Sequence, residues 1–137
     1  MNTNALATAV AAKAAGITGL RGYSAAVPDT IPASPWLIVG SHSATTELSG
    51  TVTTFTFPLR CYVERTSDSA RTQVIVNDLV DDFVAAYWDG LTYGGTIAVG
   101  RITGWNTDLY AEVGKADYQV VEFTFTALVR DTTVHTP

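Results

Sequence analysis

Two runs of two-residue alternation constrain this chain more than any other feature. In FTFPLRCYV, residues 55–63, the odd positions Phe55, Phe57, Leu59, Cys61 and Val63 are apolar, against Thr56, Pro58, Arg60 and Tyr62 between them. VEFTFTALV, residues 121–129, sets Val121, Phe123, Phe125, Ala127 and Val129 against Glu122, Thr124, Thr126 and Leu128. Successive side chains of a strand point to opposite faces, so each run reads as a strand with one face in a core, the first extending over about Val52–Glu64. The second face carries Thr54, Thr56, Arg60, Tyr62, Glu122, Thr124 and Thr126, and the question is what it meets.

The helix that covers the first face is legible as well. RTSDSARTQVIVNDLVDDFVAAYWDG predicts a helix over about 68–88, with Ser67 or Ser69 as its cap, Asp68 favoured by the helix dipole and Gly90 as its stop. Ile75, Leu79, Phe83 and Ala86 share one side with Val76, Val80 and Tyr87, while Asn77, Asp78, Asp81 and Asp82 lie opposite, a solvated face. At the amino terminus an Ala-rich segment capped by Asn2, Thr3 or Asn4 and stopped by Gly16 predicts a second, short helix whose thin apolar stripe is Leu6, Val10 and Ala14.

Between these elements GLRGYSA reads as a short extended piece. VPDTIPASP, with three prolines, reads as a solvent-facing loop. PWLIVG suits a short strand and SHSATTELSG a long polar connection. Pro58 has no N–H to give to a ladder, which predicts an edge strand or a bulge there. After a turn at Gly94 and Gly95, a strand over Ile97–Trp105 is loosened by Gly100 and Gly104. NTDLYAEVGKAD then connects, with a short strand at Leu109–Val113, to the last strand at Asp117–Arg130. The expectation is a single domain over residues 1–137, with a polar tail after about residue 130. Its class is α+β in two layers: a mostly antiparallel sheet, the long helix on one face and the short N-terminal helix beside it.

Charge and composition narrow the function. Eight Lys and Arg against thirteen Asp and Glu give a net charge of −5, which offers no broad cationic surface for nucleic acid. The same balance suits a wall past which DNA moves without sticking. Cys61 is the only cysteine, so an intrachain disulfide and a thiolate zinc cluster are excluded, and its position reads as a small buried hydrophobe. MNTNALATAVAAKAAG lacks the basic start and leucine-rich run of a secretory signal, and no segment approaches the ~20 apolar residues that span a bilayer. A soluble protein made and used without export, with no membrane partner, is expected.

No catalytic constellation stands out. His42 and His135 lie in a polar loop and in the tail, without a third metal ligand. GSHSA is not a nucleophile elbow, and His42 and Ser43 on extended chain point to opposite sides. Gly94 and Gly95 precede a strand, not the helix a phosphate loop requires. Of the tryptophans, Trp36 and Trp88 read as core and Trp105 as an exposed aromatic suited to a protein interface. A structural or binding protein without a cofactor is favoured over an enzyme.

The order of features resembles the tail terminators of long-tailed bacteriophages. The resemblance runs from the Ala-rich opening helix through VPDTIPASPWLIV, FTFPLRCYVER leading into the helix, and DGLTYGGTIAVGRITGW, to YQVVEFTFTALVR. It implies a homohexameric ring at the head–tail junction of a virion, made in the cytoplasm of a bacterial host. Such a ring caps the tail tube, ends its polymerisation and docks on a head-completion or adaptor protein while genomic DNA passes without specific binding. The second-face residues are then subunit-interface or channel candidates, and His42, Glu47, Trp105 and Arg130 are candidates for contacts between rings. Another neck protein shares much of this pattern. A small-ligand domain or enzyme, with the second face lining a closed pocket, is the reading from another class.

Overall fold

The computed structural model describes residues 3–24, 27–48, 52–87, 91–93 and 96–130. In chain order its elements are α1 (Thr3–Lys13), a 3-10 turn (Ala14–Gly16), β1 (Gly22–Ser24), β2 (Trp36–Val39), β3 (Ser43–Thr46), β4 (Val52–Glu64), α2 (Ser69–Ala86), β5 (Leu91–Tyr93), β6 (Thr96–Val113) and β7 (Ala116–Arg130). The strands form one seven-stranded sheet in the order β1-β2-β4-β7-β6-β5, with β3 also paired to β4. Among the described residues only the short β1–β2 pair is parallel.

The two alternating runs are neighbours. β4 and β7 pair antiparallel in unbroken register from Val52↔Arg130 to Glu64↔Tyr118, which places their apolar positions side by side on one face. Both helices cover that face. Leu6 and Val10 of α1, and Val76, Leu79 and Phe83 of α2, are buried with Phe57, Leu59, Cys61, Phe123 and Phe125 in one core. Phe83 stacks on Phe123 with ring centroids 4.3 Å apart, and the buried Tyr87 hydroxyl donates to the Val10 carbonyl at 2.7 Å, tying the helices together. Burial pushes the Cys61 thiol well above its usual range, so it stays protonated and inert.

Local chemistry explains the helix ends. Asp68, not Ser67 or Ser69, caps α2: its Oδ1 accepts from the Ala70 and Arg71 N–H groups at 3.1 and 3.2 Å. Asp68→Ala is expected to destabilise the protein by about 1 kcal/mol, read as a lower denaturation midpoint, and Asp68→Asn to restore most of it. α1 tightens into the 3-10 turn before the expected stop at Gly16, and Lys13 in its last turn donates to the Ala86 carbonyl at 3.4 Å.

Four further expectations, all about the sheet, are corrected. Pro58 lies in a central strand, without a bulge: β2 covers Leu59–Tyr62 on one side of β4 and β3 covers Thr53–Thr56, so the proline falls at the break between them. Its carbonyl accepts from Gly40 N–H at 2.8 Å, so its missing N–H faces the same break and no ladder bond is lost. SHSATTELSG is not all connection, because Ser43–Thr46 pairs with β4 as a hairpin arm. The separate strands expected at Ile97–Trp105 and Leu109–Val113 are one, β6, which absorbs its irregular sequence in shifts at Ile102/Gly104 and Asn106/Leu109. A Cβ at Gly100 would sit 2.6 Å from the Phe125 ring and 2.9 Å from the Thr126 carbonyl, so only glycine lets β6 and β7 approach there. Gly114, at φ 64°, closes the β6–β7 hairpin.

The fourth correction concerns the second face, which is not wholly uncovered. Ile31 from the proline-rich loop buries itself against Ile38, Tyr62, Val113, Tyr118 and Val120, a second small core on the side away from the helices. The predicted features at Trp88, Gly90, Gly94, Gly95 and His135, and the tail after Arg130, lie outside the described residues.

Candidate assembly interface

The register of β4, β7 and β6 builds the second face row by row. Thr54 pairs with Leu128 and Leu128 with Val99; Thr56 pairs with Thr126 and Thr126 with Arg101; Arg60 pairs with Glu122. Paired residues share a face, so the predicted Thr54, Thr56, Arg60, Glu122, Thr124 and Thr126 form one contiguous surface. The threonines and Glu122 are half-buried and Arg60 is exposed.

Tyr62 is the exception among the predicted residues. It lies on the same face but is only 7% exposed, packed edge-on against Tyr118 with centroids 6.1 Å apart in the small core. The second face is therefore divided, with the half toward Tyr62 closed by the chain itself and the half toward Thr54 open.

Arg60 Nε donates to Glu122 Oε2 at 2.6 Å. With side chains 48% and 34% exposed, the pair is solvent-screened and contributes at most about 1 kcal/mol. Its larger effect is to neutralise a charge of each sign in the middle of the face. Beside it Thr103 Oγ1 donates to the Thr124 carbonyl at 3.3 Å and lies 3.1 Å from Thr126 Oγ1. The open half thus presents threonine hydroxyls beside a neutralised ion pair, with the exposed Arg101 in the Thr126 row.

Sequence reasoning missed the apolar end of this surface. Val99 and Leu128 are cross-strand partners, 65% and 46% exposed. The signal was present, since Leu128 is the one aliphatic residue among the outward positions Glu122, Thr124, Thr126 and Leu128. Val99 became its neighbour only through the β6 register.

The residues predicted for contacts between rings do not form one cluster. Glu47 N–H donates to the Val52 carbonyl at 3.0 Å, and Val52 pairs with Arg130, so these two approach the same end of the sheet. His42 instead lies against the Phe55 and Phe57 rings, at 5.4 and 5.5 Å, on the helix-covered face. Trp105, 52% exposed, pairs with the core residue Phe123 at the β6 edge and so belongs to the helix side.

A groove of about 480 Å³ lies on the helix-covered side, between α1 and the ends of β1 and β2, lined by residues that include Ala7, Ala11, Tyr23, His42 and Phe57. Among the described residues no group of three or more His, Cys, Asp or Glu could hold a metal ion, and no helix is long and apolar enough to cross a membrane.

No family model matches the sequence, and no curated protein does. Solved structures do share the fold. One, 15% identical, superposes at a TM-score of 0.53 over 96% of this chain and 95% of its own. Another, 22% identical at the same TM-score of 0.53, covers 93% of this chain and 96% of its own, and it is a chain from the virion of a native gene transfer agent particle.

Proposed function

We propose that this chain is a structural protein of a phage-like virion, a tail terminator whose copies form a homohexameric ring that caps the tail tube and makes the tail side of the head–tail joint. The observation that carries the reading is the likeness of almost the whole fold to a virion chain of almost the same extent. The sequence resemblance selects the terminator within that class.

The open half of the second face supports assembly. A threonine surface with a neutralised ion pair and an exposed apolar pair costs less to cover than a surface of unpaired charges. A ring repeats each contact six times on this reading, so individually modest interfaces hold the assembly. The tail tube protein below and a head-completion or adaptor protein above are the further partners. The net charge of −5 supports passage of DNA without adhesion.

The test is the mass of the purified full chain by native mass spectrometry, beside Thr124→Asp and Arg60→Glu. Wild type is expected as a ring. Both variants are expected as folded monomers, because the first introduces a carboxylate on the open half and the second sets two carboxylates opposite each other at the Glu122 row. A wild type that stays monomeric overturns the ring, and complete rings from both variants overturn the placement of the interface.

A further inference from the structure

We infer that the groove between α1 and the ends of β1 and β2 receives Leu48, from the turn between β3 and β4, of the next copy of this chain. The inference rests on the ring reading and adds to it a contact of knob and hole on the helix-covered side of the sheet.

The hole has an apolar floor and small walls. Ala7 and Ala11 of α1 leave about 480 Å³ of space over Val39 and Phe57, room for an aliphatic side chain and the backbone beside it. No Asp, Glu, Lys or Arg lines it. His42, at its edge, lies against the Phe55 and Phe57 rings at 5.4 and 5.5 Å, and its ring nitrogens have no hydrogen bond among the described residues.

The knob stands out as clearly. Leu48 is fully exposed, and the next most exposed large apolar side chain among the described residues, Val99, is 65% exposed. A leucine held wholly in water on a polar hairpin contributes nothing to the monomer's core. Beside it, Glu47 is the single charged residue between His42 and Arg60, and its carboxylate makes no ion pair among the described residues. The two surfaces therefore match in kind. An aliphatic knob meets an apolar floor, and a carboxylate beside the knob meets an imidazole that can donate to it, where no acid opposes it.

Topology forbids the match within one copy. His42 leads directly into β3, and extended chain from His42 to Glu47 advances about 17 Å away from the groove. β3 is paired with β4 along its whole length, so the hairpin cannot fold back to bring its tip to its own groove. Each copy carries one knob and one hole, so a ring fills every hole and leaves no knob over. A contact between two different surfaces is heterologous, and it repeats from copy to copy until the rotation closes. It also joins Glu47 to His42, which one copy holds apart.

Crosslinking tests this on the full chain. Leu48→Cys with Ala12→Cys puts one thiol on the tip and one on the exposed rim of the groove, while Cys61 stays buried. A short bismaleimide is expected to give a ladder of covalent multimers on a denaturing gel, and neither single variant is expected to crosslink. Leu48→Asp, which sets a carboxylate against the apolar floor, is expected to keep its circular dichroism spectrum. Its concentration at half-assembly is expected to rise on the order of tenfold or more. If wild type forms rings by native mass spectrometry and the assembled double-cysteine variant gives no ladder, the groove has another occupant and the ring stands. Dimers from Leu48→Cys alone mean that tip meets tip and overturn the contact. Leu48→Asp that assembles as well as wild type also overturns it, and this variant decides where the double-cysteine variant does not assemble. A monomeric wild type overturns contact and ring together.

Discussion

Phe123→Ala is expected to remove about 3–5 kcal/mol of stability. Phe123 is fully buried in β7, between Leu59 of β4 and Trp105 of β6, and its ring stacks on Phe83 at 4.3 Å with 12° between planes. Phe83 in turn stacks on Tyr87 at 5.9 Å, and Tyr87 holds α1. Truncation leaves a cavity at the junction of sheet and both helices, and a central strand flanked on both sides cannot collapse to fill it. A loss of this size is a large share of the about 5–15 kcal/mol that holds a domain together. Urea titration of dilute monomer, where assembly adds nothing by mass action, is expected to show a lower midpoint at unchanged slope. A loss under about 1 kcal/mol contradicts the packing of the helix layer.

The second large effect is expected at Tyr62, and it separates a packing role from an assembly role. Tyr62 points to the second face but is covered by its own chain, beside Tyr118, Ile31, Ile38 and Val120. Tyr62→Ala is expected to destabilise the monomer by about 2–4 kcal/mol, and Tyr62→Phe, which keeps the ring, by about 1 kcal/mol or less. Both are measured by the same titration. Thr124→Asp, in the open half, is expected to leave monomer stability within about 1 kcal/mol and to act on assembly. Equal stability of Tyr62→Ala and wild type contradicts the small core formed with the proline-rich loop.

That division of one face into a closed and an open half marks the limit of what the sequence holds. β4 and β7 were legible to within a residue, because a buried face repeats with the period of the strand and a one-residue slip would expose every phenylalanine. α2 was legible from its stripe and its stop, with a difference of one or two residues at each end. β3 was not, since Ser43–Thr46 is exposed throughout and owes its strand form to pairing with β4. Pro58 misled for a related reason: its penalty depends on which neighbour stands opposite, and that neighbour is set by where β2 ends and β3 begins. β6 read as interrupted because Gly100, Gly104 and Asn106 break its pattern, whereas bulges carry the ladder through them. Of the candidate site, the parity of Thr54, Thr56, Arg60, Glu122, Thr124 and Thr126 was legible. The burial of Tyr62 by Ile31 and the pairing of Val99 with Leu128 are long-range facts that no local pattern encodes.

The central claim is that this chain sits at the junction of head and tail. Antibody against the chain, applied to intact particles and viewed by negative-stain electron microscopy, tests it most directly. The account predicts label confined to the head-proximal end of the tail. Label along the tail, on the capsid, or on neither intact nor disrupted particles contradicts it.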